Sequence, residues 1–321
     1  MQELVNLSND SSDLNGLLGG KPERLQELLS ANNLDGIEFM CCAPWQEENG
    51  FPSGGQIKGF HLWFWGTWLD FWQGNTERLQ EDFGSLTAAE NIFGPSREAW
   101  LETYRQNFRQ ARLCGAEYAV FHVADVRPGE MPGRKYCHTS KEVVQAALEV
   151  VNELADELPA ECPVLFENLW WPGLTLLEPE LADRLLAGTN HKAGIMLDTG
   201  HLMNTNWQLR TERESVDYVM SVLDKLGSLS KAICGIHLHQ SQSGEFVCRE
   251  REMAKQRTSL SAAELMNYVL RTDQHQPLRT PYGIRLIERI NPQVVVHEFV
   301  PRDFSDWQKK IMIQRQSLGL A

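Results

Sequence analysis

Short apolar runs rich in β-branched and aromatic residues recur along the whole chain, and stretches of helical periodicity separate each from the next. That alternation leaves few folds open, because strands joined through helices pair in parallel. Eight runs read as strands: ELVNLS (3–8), GIEFM (36–40), IKGFHLWF (57–64), EYAVFHVA (117–124), PVLFEN (163–168), AGIMLDT (193–199), AICGIHLH (232–239) and PQVVVHEF (292–299). Helix starts are marked by Ser96, by Ser140, and by the capping-box spacings Thr211-x-x-Glu214 and Ser261-x-x-Glu264. Eight βα units without a linker, repeat or low-complexity segment predict one α/β domain over residues 1–321, a single closed (β/α)8 barrel rather than an open doubly wound sheet. Two long interruptions are expected at the mouth. Gly66 to Pro95 reads as a lid-like excursion with its own helix, and Val126 to Thr139 is a loop carrying PGEMPGRK.

In such a barrel every strand delivers its carboxyl end to the same face, so groups remote in sequence converge there. Here the strand ends are ionisable. PVLFEN closes on Glu167, GIMLDTGH on Asp198 with His201 three residues later, AICGIHLH on His237 and His239, and PQVVVHEF on Glu298. EYAVFHVAD carries His122, and IKGFHLWF carries His61. A carboxylate ending one strand is an ordinary surface residue, but three carboxylates and an imidazole on one rim would repel and raise their own pKa values unless a cation sat among them. Glu167, Asp198, His237 and Glu298 are therefore the expected ligands of one divalent ion, with Mn, Zn, Co or Mg all compatible with the donors and a second metal left open. Period-two alternation points His237 and His239 inward and leaves His297 facing the helices as a structural residue. His138, His191 and His275 fall in loops or helix flanks and are assigned no function.

Composition narrows the partners. Thirty basic against 43 acidic residues give a formal net charge of −13, which disfavours long polyanions and makes nucleic acid an unlikely partner. No apolar stretch approaches the roughly 20 residues of a membrane span, the N-terminus lacks the pattern of a secretory leader, and seven scattered cysteines fit free thiols, so the expectation is a cytoplasmic protein without a membrane partner. Ten tryptophans are many, and Trp63, Trp65, Trp68 and Trp72 crowd the third strand while Trp170 and Trp171 follow Glu167. About half are expected in the core and the rest at the mouth, where flat rings stack on a sugar or a heterocycle. Arg249, Arg251, Lys255 and Arg257 follow the seventh strand, where barrels often hold phosphate; a solvated helix face is the competing reading.

The motifs LFEN, MLDTGH, GIHLHQS and VVHEF, in that order, resemble those of the xylose-isomerase-like TIM barrels, a superfamily of sugar phosphate isomerases and epimerases that also holds the endonuclease IV type of AP endonuclease, family 2. The resemblance implies Glu167, Asp198, His237 and Glu298 as metal ligands and His201 as a substrate-contacting residue. The endonuclease branch uses three zinc ions, adds histidines on strands three and four, which His61 and His122 could supply, and needs a D-x-H motif after strand seven. SGEFVCREREMAKQR, the segment following that strand, contains none. The expected function is thus a metal-dependent isomerase or epimerase of a sugar, sugar phosphate or polyol in carbohydrate metabolism, in which Glu167 and Glu298 exchange a proton and His201 orients a hydroxyl. His61, His122, His239, Trp63, Trp170 and Arg249 are the expected substrate contacts. Its rival is a metal-dependent hydrolase of a phosphoester or glycosidic bond, with endonuclease IV-like chemistry on a small nucleotide-like substrate. A barrel that only binds a ligand is the third reading, and a homo-oligomer is left open.

Overall fold

The computed structural model describes residues 1–42, 52–255 and 260–320, so Arg257 lies outside the described residues. Eight strands close in sequence order into a parallel barrel: β1 (Gln2–Ser8), β2 (Gly36–Met40), β3 (Ile57–His61), β4 (Tyr118–His122), β5 (Val164–Glu167), β6 (Ala193–Asp198), β7 (Ile233–His237) and β8 (Val294–His297). The expected fold is what forms. Seven strands match their expected runs to within a residue at the start and β8 begins two residues late, while those that carry catalytic candidates stop one or two residues early, because the chain turns away at the rim.

The alternation of side chains builds two cores. Leu4, Tyr118, Val120, Leu165, Met196, Val294 and Val296 point inward and fill the barrel below the rim. The opposite parity, with residues such as Val5, Ile37, Phe39, Phe60, Phe121 and Phe166, packs outward against the helices as the larger core. The wrapping helices that follow strands include α1 (Glu23–Ala31), α5 (Arg97–Cys114), α6 (Ser140–Leu154), α7 (Pro179–Gly188), α9 (Glu212–Leu226), α12 (Ile284–Ile290) and α13 (Phe304–Ser317). Ser96, Thr211 and Ser261 cap their helices as expected, accepting from the amides of Ala99, Glu214 and Glu264. For α6 the cap is Thr139 rather than Ser140: its hydroxyl accepts from the Glu142 amide at 3.3 Å, and the Glu142 carboxylate accepts from the Thr139 amide at 2.8 Å. No helix among the described residues is long and apolar enough to cross a membrane.

The excursion after β3 contains three helices instead of one: α2 (Leu69–Gln73), α3 (Thr76–Phe83) and α4 (Leu86–Phe93). Its aromatic start is anchored, because the Trp68 and Leu69 amides both donate to Asp125 Oδ1, at 2.8 and 2.9 Å, and the Trp68 indole donates to the Ala124 carbonyl at 2.8 Å. Trp100 of α5 is fully buried at the centre of this attachment, with ring centroids of Trp65, Trp68 and Tyr104 at 5.5, 5.5 and 5.2 Å. Two further helices, α10 (Gly244–Ala254) and α11 (Ala262–Thr272), rise over the mouth between β7 and α12. A short helix, α8 (Thr199–Met203), continues directly from β6.

The seam between first and last strands is clamped from outside. His297 faces the helices, as its parity requires, and contacts Gln314 of α13 at 2.9 Å and Glu3 of β1 at 3.2 Å. Arg315 Nε also donates to Glu3, at 2.8 Å. Burial alone would raise the Glu3 carboxyl, but His297 and Arg315 outweigh it and hold the group below its ordinary value of 4.5. A carboxyl depressed in the folded state stabilises above its unfolded pKa and ceases to do so as pH falls through the folded one. Glu3→Gln is therefore expected to lower stability at pH 7, with the difference from wild type shrinking as denaturation is repeated below pH 4.5. Trp100→Ala is expected to cost about 3–5 kcal/mol, read as a lower urea midpoint at unchanged slope.

Candidate metal centre

The rim collects the inward residues of seven strands or their immediate extensions. Register sets the neighbours: His122 pairs with Glu167 across β4 and β5, and Asp198 with His237 across β6 and β7. Glu167, Asp198, His237 and His239 are fully buried, with His61 and His201 nearly so. Among the described residues five overlapping groupings have ligand atoms within 4.8 Å of one another: His61, His122 and Glu167; Glu167, Asp198, His237 and Glu298; His201, Asp273 and His275; and two that share members with these, Glu38 with His61 and His237, and His239 with His275 and Glu298.

In the first group His61 Nε2 and His122 Nε2 approach Glu167 Oε2 at 3.3 and 3.2 Å. In the second, His237 Nδ1 lies 3.1 Å from Glu167 Oε1, 3.2 Å from Glu298 Oε2 and 3.8 Å from Asp198 Oδ2. Glu167 belongs to both, offering one oxygen to each. In the third, Asp273 Oδ2 is 3.1 Å from His201 Nε2 and 3.3 Å from His275 Nδ1. His201 Nδ1 lies 3.3 Å from Glu167 Oε1, which ties the third group to the second. His239 bridges the same gap, with Nε2 2.9 Å from Asp198 Oδ2 and its ring stacked on His275 at 4.2 Å.

Local structure fixes these positions. Asn168 brackets the end of β6, accepting from the Asp198 amide at 2.9 Å and donating to its carbonyl at 3.0 Å. Asp198 then caps α8 by accepting from the His201 amide at 2.6 Å, which sets the three-residue spacing of D-T-G-H. Thr199 donates to the His239 carbonyl at 2.6 Å, drawing β7 against this turn. Gly200 is required by contact: a Cβ there would sit 2.1 Å from the His239 ring. Behind His237, Nε2 lies 2.9 Å from Glu38 Oε1, and the Tyr118 hydroxyl donates to Glu38 Oε2 at 2.8 Å.

The electrostatics follow from enclosing so many carboxylates. Burial alone would raise Glu167, yet His122 and His237 hold it well below the usual carboxylate range, and His201 and His239 likewise hold Asp198 below its ordinary value. Glu298 goes the other way. Burial, reinforced by Asp198 and Glu167, pushes it up to about 7 against the opposing His237 and His239. Burial would lower His201 and His237, but the surrounding carboxylates raise both well above the ordinary imidazole value. For His275 burial wins, taking it down to about 4. Among the described residues His122 Nδ1 and His239 Nδ1 are buried without a hydrogen-bond partner, and Glu167 Oε2, Glu298 Oε2 and His237 Nε2 make only the close acid–imidazole contacts given above, outside good hydrogen-bond geometry. Buried oxygens and imidazole nitrogens left in this way within coordination reach of one another suit divalent cations.

Glu167, Asp198, His237, Glu298, His201, His61, His122 and His239 are thus brought together, and Trp170 joins them with its ring 5.2 Å from that of His201. Trp63 and Arg249 are not. Trp63 lines a groove with Cys41, Trp65 and Asn107, to which its amide donates at 2.9 Å. Arg249 lies on the solvated face of α10, 58% exposed, beside Glu250 at 3.9 Å. His275, set aside in the sequence, and Asp273 and Glu38, not singled out, are at the centre. A D-x-H sequence does follow strand seven, but as Asp273-Gln274-His275, beyond both α10 and α11 rather than in the segment next to the strand.

A sequence profile of the xylose isomerase-like TIM barrel family matches residues 90–281. A comparison with curated proteins finds no match. Among solved structures the chain is similar to endonuclease IV from Thermus thermophilus, at 17% identity and a TM-score of 0.56 with all of both chains covered. It is also similar to a D-tagatose 3-epimerase-like protein, at 14% identity and a TM-score of 0.56, covering 100% of this chain and 98% of the other. At such identities these likenesses concern the fold. With its closed barrel and the profile spanning more than half its length, the chain belongs to the xylose isomerase-like TIM barrel family.

Proposed function

We propose that this protein is a metal-dependent hydrolase of a phosphoester, with up to three divalent cations held by the three groups at the rim. The observation that carries this reading is the third group, in which Asp273 and His275 join His201 beside the other two. The family contains isomerases and epimerases as well as endonuclease IV, and a three-ion set is the feature that the resemblance attaches to the endonuclease branch. Divalent cations in such a site supply Lewis acidity and lower the pKa of water, which is how phosphoesters are opened at neutral pH.

The chain's own contribution is placement. Glu167 spans two groups with separate oxygens, so it fixes their spacing, and Asn168 and Thr199 hold the turn that carries Asp198 and His201. Glu298, with 15% of its side chain exposed, faces the mouth and can pass a proton between the site and an entering substrate. A groove lined by Asn6, Ser8, Glu38, His61, Glu298 and Arg302 gives that access. The electronegative chain as a whole favours a small substrate over a long polyanion.

The second reading is the single-ion sugar isomerase or epimerase. It is favoured by one specific observation: Glu167 and Glu298 flank His237 Nδ1 at 3.1 and 3.2 Å, with proton affinities pushed in opposite directions, as an acid and base pair requires.

Metal content separates the two. Purified protein reconstituted with zinc or manganese is expected to hold close to three ions per chain, and Asp273→Asn to lose about one of them, by elemental analysis. A stoichiometry of one, unchanged by Asp273→Asn, would favour the isomerase. Chelation is expected to lower the thermal midpoint, and Glu167→Gln to remove most of the recovery on adding metal back, because ions that bind only the folded chain stabilise it. Incubation with ketoses and sugar phosphates in deuterated water is expected to leave the carbon-bound hydrogens unexchanged by NMR; incorporation of deuterium would overturn the hydrolase.

A further inference from the structure

Beside the third group, in the loop between β4 and α6, Arg134 presents a guanidinium that the fold uses only in part. Its Nη1 donates to the Asn204 carbonyl at 2.9 Å, which suffices to hold the loop down. Its Nε and Nη2 are buried and have no hydrogen-bond partner among the described residues. These two atoms form the side-on edge of the guanidinium, the edge that meets two oxygens of a phosphate or carboxylate at once. Arg134 also adopts a positive φ of 49°, a conformation uncommon for a side chain of this size and characteristic of residues held in place by their surroundings.

Arg134 is not alone. Its guanidinium carbon lies 4.9 Å from the Trp207 ring centroid, and that of Arg251, on α10, lies 4.8 Å from the same ring. Among the described residues no carboxylate forms an ion pair with either arginine. Among the described residues the hydroxyls of Tyr136 and Tyr268 are also buried without partners, and both guanidiniums, Tyr268 and one carboxylate, Glu130, which accepts from the Cys137 amide, act electrostatically on Tyr136. Burial pushes Tyr136 up to about 12, so its hydroxyl remains a donor at neutral pH. Two cations and two hydroxyl donors sharing one corner, with no hydrogen-bond acceptor for the donors left over among the described residues, are unfavourable unless an acceptor is supplied.

The corner adjoins the candidate metal centre. Asn204, which receives the Arg134 bond, donates through Nδ2 to Asp273 Oδ1 at 3.4 Å. Trp170, whose ring meets that of His201, belongs to the same apolar cluster as Tyr268, against which Tyr136 packs. Arg251 and Arg134 are both partly exposed, so the corner opens toward solvent on the α10 side. Arg249, solvated on another face of the same helix, takes no part.

We infer that Arg134, Arg251, Tyr136 and Tyr268 form an anion subsite that grips a phosphate group of a small phosphorylated substrate, adjacent to the His201, Asp273 and His275 group. The inference rests on the phosphoester reading for what is done to the substrate, but the subsite itself requires only a phosphate. A pair of guanidiniums suits a dianion better than a neutral sugar, and the negative chain surrounding it opposes a long nucleic-acid strand.

The test is calorimetric titration of inorganic phosphate into chelator-treated full-length protein, with circular dichroism to confirm the fold, so that metal-bound phosphate does not contribute. Wild type is expected to bind, Arg134→Gln to weaken binding by about tenfold or more, and Tyr268→Phe by a few-fold, as loss of charged and neutral hydrogen bonds implies. Arg251→Gln, on the partly exposed face of α10, gives the same reading should Arg134→Gln fail to fold. Absence of phosphate binding in the folded wild type, or binding unchanged in both arginine variants, would overturn the subsite. A short single-stranded oligonucleotide is expected to bind no tighter than phosphate; tighter binding that depends on Arg134 would overturn the small substrate. Phosphate binding lost on arginine substitution in a protein without phosphoesterase activity would leave the subsite standing and remove the proposed function; phosphoester hydrolysis with a KM indifferent to Arg134 and Arg251 would do the reverse.

Discussion

Five carboxylates, Glu38, Glu167, Asp198, Asp273 and Glu298, share one enclosed rim with six imidazoles, and the barrel has to neutralise them there. An isolated buried carboxylate would cost more than a marginally stable fold can absorb. Two agents can balance the charge: protons on His201 and His237, or cations taken up from solution. The proton affinities lean toward the first agent, with those of Glu167, Asp198 and Asp273 lowered by the neighbouring imidazoles and those of His201 and His237 raised by the carboxylates. A cation that displaced those protons would find candidate ligands already in place, because Asn168, Thr199 and the Glu38–Tyr118 pair hold them from behind.

The strands and their inward parity were legible in the sequence because period two is a property of each strand alone. Glu167, Asp198, His237 and Glu298 could be placed on one rim for the same reason, and His297 on the other side. Glu38 was harder to recognise, since it lies in the middle of GIEFM rather than at its end, although a carboxylate inside so short and apolar a run is itself the signal. Asp273 and His275 escaped for a different reason. They belong to no strand; an isolated bridge between Gln240 and Gln276 returns the chain to the rim after two helices, and no periodicity encodes a return of that kind.

The aromatic residues divide according to what anchors them. Trp68 and Trp100 serve the attachment of the excursion, so the residues that looked like a sugar platform around β3 are largely cement. Trp170 and Trp171 roof the rim instead, with Tyr268 of α11 and the loop of Arg134 alongside. The mouth is thereby asymmetric: a groove toward β1 and β8 reaches Glu298, whereas the opposite side is walled by rings and guanidiniums.

Gly200 carries a consequence for how such a chain can diversify. The D-T-G-H turn admits neither a side chain at its third position nor a change of length, since His201 is placed by the cap that Asp198 provides and His239 fills the space a Cβ would need. Insertions are therefore confined to connections that leave this splice untouched, as α2 to α4 and the α10–α11 pair do. Variation among descendants would accumulate in what surrounds the reacting groups, while the junction of β6 and α8 stays frozen.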